Sequence, residues 1–577
     1  MEKFIPKKKT IIIGIIIIAI ILIVIIIGVY IPSNRKMVDN AYNVYQIDYS
    51  KSVRPQMDIA MYNTNYMGFS TGGAKDISNF RENIKNGYFP ISTDITHNGL
   101  FYEYYFDTGK KTESEDLFSP SYSCAISQDP ISYKKEYYMT VGLNSNIKES
   151  DFQRKKLNLV VVLDVSGSMS SPFYSYYYDG FSNNKNKDSQ NEDDKKSKME
   201  IANESVNILI DKLKEDDRFG LVLFEQEARV AKQIELVSEM DINNLKKLIL
   251  EIKADGGTNF EAGYIQAIKS FQKYKNSDKS KYENRIIIIT DAMPNYGTTS
   301  KEGLLSYIKE QADNGIYTTF IGVGVDFNTQ LIQEISDVKG ANYYSVHNSK
   351  EFKERMGEQF EYMVTPLVFD LNLNLKSDDY KIEMVYGTDS SKGNEGNLMK
   401  VNTLFPSKSS ETGEVKGGIV LVKLSKMKEK NNGEINLEVT YKDRNGNEHK
   451  NTQTVDFDKN EEFYENTGIR KAIVLTRYVN VLKNWILYER TADDKFMLVA
   501  NTGIIDFLYT QEEVTNVLGE HERTSVKLKV SEEYKEIFRN IKKYILKENE
   551  VILDKELDKE IEILDKLIEN YESIIKN

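Results

Sequence analysis

The chain has 577 residues, too many for one hydrophobic core, so three or four domains are expected. Charged residues at 28 % and hydrophobic residues at 40 % describe ordinary globular material, and the net charge of -12 argues against nucleic acid, whose binding needs clustered Lys and Arg. The single cysteine, Cys124, excludes intrachain disulfides, cysteine-based zinc sites and iron–sulfur ligation, and the four scattered histidines (His97, His347, His449, His521) form no metal or catalytic cluster along the sequence.

Residues Ile11 to Ile31 carry no charge and are nearly all Ile, Val, Leu and Gly. The run matches the roughly 20 residues needed to span a bilayer. No A-x-A cleavage site follows it, so an uncleaved signal anchor is expected in preference to a cleaved secretion signal. Lys3, Lys7, Lys8 and Lys9 precede the run, against Arg35 and Lys36 after it. The positive-inside rule then makes residues 1–10 a cytoplasmic tail of a single-pass protein of the cell membrane, with the bulk of the chain outside.

Residues 37–150 are rich in Tyr, Asn, Ser and Gly and read as a mixed, mostly β region packed on the next domain. It holds a short helix over 76–86 and strand-like patches at 116–128 and 136–143. Leu157 to Leu163 is a buried parallel strand ending at Asp164. A polar insertion over 170–198 follows, with Tyr174, Tyr176, Tyr177 and Tyr178 ahead of an Asn/Lys/Asp run that cannot support a core.

Helical spacing resumes at Met199, Ala202, Val206, Leu209, Ile210 and Leu213. Strands are expected at 218–224, 284–290, 316–325 and 341–346, with an antiparallel edge strand at 228–234. Helices are expected at 241–253, 259–274, 301–314, 328–337 and 350–364. This alternation predicts an α/β fold: a doubly wound, mostly parallel sheet over 155–365. Residues 366–460 read as a β-sandwich-like domain, with strands at 369–375, 380–385, 418–424 and 435–441 and a hairpin turn at Asn445-Gly446. Residues 461–577 read as a helical C-terminal region, its last part a helical hairpin, a short coiled coil or an ordinary surface pair.

Chemistry concentrates after the first buried strand. Asp164, Ser166 and Ser168 place a carboxylate and two hydroxyls at i, i+2 and i+4, where open α/β sheets hold their ligands. These hard oxygen donors suit a hard divalent cation. Two further oxygens are candidates. Thr258 lies in the glycine-flanked run ADGGTN, where the alternative is a helix N-cap. Asp291 ends the strand RIIIIT, where the alternative is again a cap.

Asp164-Val165-Ser166-Gly167-Ser168-Met169, Gly257-Thr258-Asn259 and Thr290-Asp291 resemble the metal-ion-dependent adhesion site of von Willebrand factor A domains. The resemblance covers about 155–365 and extends, more weakly, over 60–480 to bacterial membrane-anchored A-domain proteins. It implies that Asp164, Ser166, Ser168, Thr258 and Asp291 hold Mg²⁺ or Mn²⁺, with Ca²⁺ as a third candidate. Ala292 stands where many relatives have Gly, and the 170–198 insertion departs from the family pattern beside the metal loop.

An under-neutralised cation accepts Asp or Glu from a protein partner, which is binding and not turnover. The chain lacks a histidine near 164–168, a G-x-S-x-G elbow and a P-loop, so the expectation is a non-enzyme. The first reading is a membrane-tethered adhesion module, with the four tyrosines of the insertion rimming the ligand site. The alternative reading is a structural or assembly component of a membrane complex, in which the metal stabilises the fold. A metal-dependent hydrolase is the third.

Overall fold

The strand that ends at Asp164 is an interior strand of a seven-stranded sheet. The computed structural model describes residues 66–75, 77–110, 116–179, 196–274, 279–291, 301–326, 338–388, 398–427, 434–457, 461–491 and 524–569, all within the unit Tyr62–Asn577. The apolar run Ile11–Ile31, the expected helix at 328–337 and most of the polar insertion lie outside the described residues. Among the described residues no helix is long and apolar enough to cross a membrane.

In chain order the first elements are β1 (Tyr66–Thr71), β2 (Gly73–Lys75), α1 (Ile77–Lys85), α2 (His97–Tyr102) and β3 (Tyr105–Phe106). A long hairpin, β4 (Phe118–Gln128) and β5 (Lys135–Lys148), precedes β6 (Lys156–Asp164). Then come α3 (Lys198–Ile210), β7 (Arg218–Phe224), β8 (Ala228–Leu236), α4 (Ile242–Leu250), α5 (Phe260–Ser270), β9 (Tyr282–Thr290), α6 (Lys301–Asp313), β10 (Ile316–Val323) and β11 (Asn342–Val346). The helix expected over 350–364 is two pieces, α7 (Ser349–Met356) and α8 (Phe360–Met363), separated at Gly357, which leaves the helical region at φ -100, ψ -88.

The sheet order is β2-β11-β10-β9-β6-β7-β8, parallel throughout except for the antiparallel edge strand β8. Its faces follow from the period of two along β6. Leu159, Val161 and Leu163 pack with Met199, Val206, Ile249 and Phe352 on one side. Val160 and Val162 pack with Phe260, Tyr264, Phe271 and Ile308 on the other. Each buried aliphatic side chain contributes about 1.5–3 kcal/mol, so both helical layers are held by the same strand. The chain leaves β6 toward β7 on one side and later β9 on the other, which makes the carboxyl end of β6 the switch point where such sheets open a ligand crevice.

The β regions on either side of this sheet are not separate, as the sequence led one to expect. The remaining strands are β12 (Val368–Lys376), β13 (Tyr380–Tyr386), β14 (Leu398–Ser407), β15 (Val415–Lys416), β16 (Ile419–Lys426), β17 (Glu434–Asp443), β18 (Glu448–Asp456) and β19 (Phe463–Tyr464). All but β15, which pairs with β3 in a separate two-stranded ribbon, join β1, β4 and β5 in one ten-stranded sheet, with β1 between β5 and β14. β5 pairs along its length with β4, and on its other edge first with β16 and then with β1, so the sheet splits and folds over a shared core of Phe118, Met139, Val141, Leu373, Val401, Val422 and Leu437. The parallel sheet is thus inserted between β5 and β12 of a sandwich. β1 and β2 run consecutively into the two sheets, β2 adding a strand to the edge of β11.

The helices α9 (Thr467–Thr491), α10 (Glu532–Ile552) and α11 (Asp558–Glu569) complete the chain. α10 and α11 are a helical hairpin, turning at Leu553 in the left-handed region. They do not stand on the surface as an isolated pair. Trp485, Phe538, Ile545 and Leu564 form one core with Ile77, Phe80, Leu100 and Phe101 from the N-terminal region.

Candidate metal centre

Three carboxylates lie at the carboxyl ends of adjacent strands: Asp164 closes β6, Asp291 follows β9 and Asp326 follows β10. Asp164 and Asp291 are fully enclosed, and Asp326 is nearly so. Asp164 is held on both oxygens: Oδ1 accepts the Ser166 amide at 2.8 Å, and Oδ2 accepts the Thr290 hydroxyl. The first loop turns back at once, so the Ser166 and Ser168 hydroxyls lie 3.1 Å apart. Ser168 Oγ donates to Asp291 Oδ1 at 2.7 Å, which ties the first loop to the third.

The second loop is stitched to the first through backbone. Asp255 N donates to Val165 O at 2.7 Å, and Gly167 N donates to Gly256 O at 2.9 Å. Thr258 is buried in this loop and is not the helix cap. That role belongs to Asn259, whose Oδ1 accepts the Ala262 amide at 3.1 Å. The structure therefore brings Asp164, Ser166, Ser168 and Asp291 into one hydrogen-bonded cluster and sets the Thr258 loop against it.

Sequence reasoning missed Lys198 and Asp326. Lys198 is the first residue of α3, fully buried, and its Nζ donates to Asp291 Oδ2 at 2.8 Å and to Asp326 Oδ1 at 2.7 Å. The signal for Asp326 was present: an acid beyond a buried strand, placed like Asp164 and Asp291. Lys198 carried a subtler one, a cation at a helix N-terminus, where the macrodipole disfavours it unless carboxylates hold it.

Burial and then the neighbouring Asp291 push the Asp164 carboxyl up to about 7, against the hydrogen bonds from Thr290 and Ser166. Burial likewise raises Asp291, against the pull of the Lys198 ammonium. Asp326 also pushes Asp291 up, and buried carboxylates whose charge is held off by burial and by a neighbouring carboxylate are matched to a cation. The donor set is all oxygen, with hydroxyls converging beside the two carboxylates, and it fits a hard divalent ion. Among the described residues no group of three or more Asp, Glu, His or Cys is arranged to hold a metal.

The four tyrosines of the insertion separate. Tyr177 is exposed, and its hydroxyl would lie 3.6 Å from a Cβ placed on Gly167 of the metal loop. Its amide donates to Asp326 Oδ2 at 3.0 Å. Tyr178 packs edge-on against Tyr177 at 4.9 Å and, like Tyr174, is partly exposed. Tyr176 is a correction to the expected rim. It points inward, donates to Asn83 Oδ1 at 2.7 Å and packs against Tyr88 at 4.7 Å, so it anchors the insertion and is closed to a ligand.

Residues 159–293 match the family model described as von Willebrand factor type A domain. Among curated proteins the chain is similar to the uncharacterized protein YfbK of Escherichia coli (strain K12), at 24 % identity over 38 % of this chain and 33 % of that one. It is also similar to inter-alpha-trypsin inhibitor heavy chain H2 of Homo sapiens, at 21 % identity over 38 % of this chain and 21 % of that one. The chain thus spans about a third or less of the length of these relatives. Among solved structures, a von Willebrand factor type A protein from Catenulispora acidiphila aligns at a TM-score of 0.39 and 16 % identity, covering 65 % of this chain and 82 % of that chain. The chain carries a von Willebrand factor A domain.

Proposed function

We propose that this von Willebrand factor A domain binds a protein ligand through a divalent cation held by Asp164, Ser166, Ser168, Thr258 and Asp291. The observation that carries the reading is the cluster itself: two fully buried carboxylates, Asp291 accepting from Ser168 Oγ and Asp164 from the Ser166 amide, with the two serine hydroxyls 3.1 Å apart. The ion, Mg²⁺ or Mn²⁺, supplies an electrophilic point for a partner Asp or Glu. The chain's own work is to exclude water and fix the oxygens. Asp164 is oriented by Ser166 N and Thr290, and Thr258 is left uncommitted to capping. These oxygens bond to one another and not as a nucleophile–base pair, which favours binding over turnover.

Tethering to the cell membrane, with the domain outside, is part of the same reading and rests on the uncharged run Ile11–Ile31 and its flanking lysines. Tyr177, beside Gly167, and Tyr178, packed on it, remain the rim candidates on the insertion side, with Tyr174 partly exposed.

The test is capture of surface proteins by the purified full chain in Mg²⁺ and in EDTA. Capture that needs Mg²⁺ and is lost in Asp164→Ala supports the reading. Capture that persists in EDTA favours the structural role, in which the helical and β regions assemble a complex and the metal only stabilises the fold. Cells expressing the chain should keep it in the membrane fraction after alkaline wash, and external protease should reach it; release by the wash would defeat the tether.

A further inference from the structure

We propose that Lys198 sets the metal affinity of this site, as a resident cation with which a divalent ion must share Asp291. The inference rests on the metal-binding reading above and adds a residue to it. The ammonium is completely enclosed and bonded to Asp291 Oδ2 at 2.8 Å and Asp326 Oδ1 at 2.7 Å, while the other oxygen of Asp291 accepts from Ser168. The Asp291 carboxylate already faces a cation supplied by the protein.

The position is built and not incidental. Lys198 stands in the first turn of α3, where the helix dipole works against a cation. Its stem runs over Gly324 beyond the end of β10, at φ +88, where an added Cβ would lie 2.6 Å from Lys198 Cε. Both the backbone conformation and the passage of the lysine thus require glycine there. The backbone is closed behind it, since Lys198 N donates to Ser171 O at 2.9 Å and Pro172 pairs with Ser197 at the base of the insertion. With its stem enclosed and its backbone fixed, the ammonium stays beside Asp291 when an ion arrives.

The electrostatics give two opposite expectations. Two like charges a few ångströms apart in a partly buried site repel strongly. Lys198→Met keeps the stem and removes the charge, leaving Asp291 wholly to the ion and Asp326 as an added negative charge nearby. Asp326→Asn takes away the ammonium's second partner and leaves its charge on Asp291 alone.

Titration of the purified full chain with Mn²⁺, read by calorimetry, separates the outcomes. The expected result is binding about tenfold or more tighter in Lys198→Met and several-fold weaker in Asp326→Asn, by the Coulomb argument. Wild-type binding with Lys198→Met no tighter overturns the role of Lys198 and leaves the metal reading standing. Absence of Mn²⁺ binding in the wild type overturns both. Should Lys198→Met fail to fold, Asp326→Asn decides, and unchanged or tighter binding there overturns the proposal.

Discussion

Asp217 shows how much of the metal loop's position is decided at its far end. Its buried carboxylate accepts Arg154 Nη1 at 2.8 Å, Lys214 N at 2.7 Å and Leu157 N at 2.8 Å, which fixes where β6 begins. Asp217→Ala leaves the Arg154 guanidinium enclosed, with the Lys155 and Lys212 carbonyls and, as its one acidic partner, Glu361 at 3.4 Å. Removing one member of a buried pair costs about 3–5 kcal/mol. Denaturant unfolding followed by circular dichroism should show a loss near the lower end, because Glu361 compensates in part; a loss below about 1 kcal/mol would place the pair among surface salt bridges.

At the same scale, the clustering of Asp164, Ser166, Ser168 and Asp291 was legible because their oxygen donors are written as short spacing after buried strands. Lys198 and Asp326 were not, because their partnership joins positions 128 residues apart. The tyrosines illustrate the same limit. Nothing local distinguishes Tyr176 from Tyr177, yet Asn83 and Tyr88 draw one inward while the other faces the loop.

Among the elements, α5 carries the greatest consequence for the site, since the Thr258 loop leads directly into it. Gly263 lets this helix close on β7: an added Cβ would meet Phe224 Cγ at 2.9 Å and Phe224 Cβ at 3.0 Å. Gly263→Val should lower stability by about 1–3 kcal/mol through overpacking. Because the helix would be pushed off the sheet, Mn²⁺ affinity should fall with it. A melting curve and a Mn²⁺ titration check both; unchanged values for the two would show that the close approach is not required.

Among the described residues, the order of helices and strands from β6 to β11 was legible from periodicity, including the antiparallel edge strand, whereas β2, which joins the sheet from the N-terminal region, was not. The break at Gly357 was not, since the apolar spacing runs through it. The sandwich was legible as strands but not as a sheet. β5 pairs with β16 and β1 pairs with β14 across the whole inserted domain, and such long-range pairing leaves no local pattern.

At the largest scale, the first and last helices of the described residues share one core. Trp485, Phe538 and Leu564 pack with Phe80 and Leu100, and the enclosed Glu560 accepts from Arg81 and from the Tyr104 hydroxyl. Removing residues 531–577 should therefore strip amide-exchange protection from α1 and α2 while leaving β6 and β9 protected. Protection of α1 and α2 that survives the truncation would contradict a shared core.

The insertion is part of this linkage, since Ser525 N donates to Tyr178 O at 3.1 Å and Phe89 N donates to Val526 O at 2.7 Å. The region beside the candidate metal loops is thus braced by the segments around Phe89 and Ser525, while the site itself stays within the inserted sheet. The most direct measurement of the central claim is a calorimetric titration of the full chain with Mn²⁺, comparing wild type with Asp164→Ala and Asp291→Ala. The account predicts saturable one-site binding in the wild type and its loss in both variants with the fold retained; wild-type protein that takes up no Mn²⁺, or variants that bind it as the wild type does, would contradict the account.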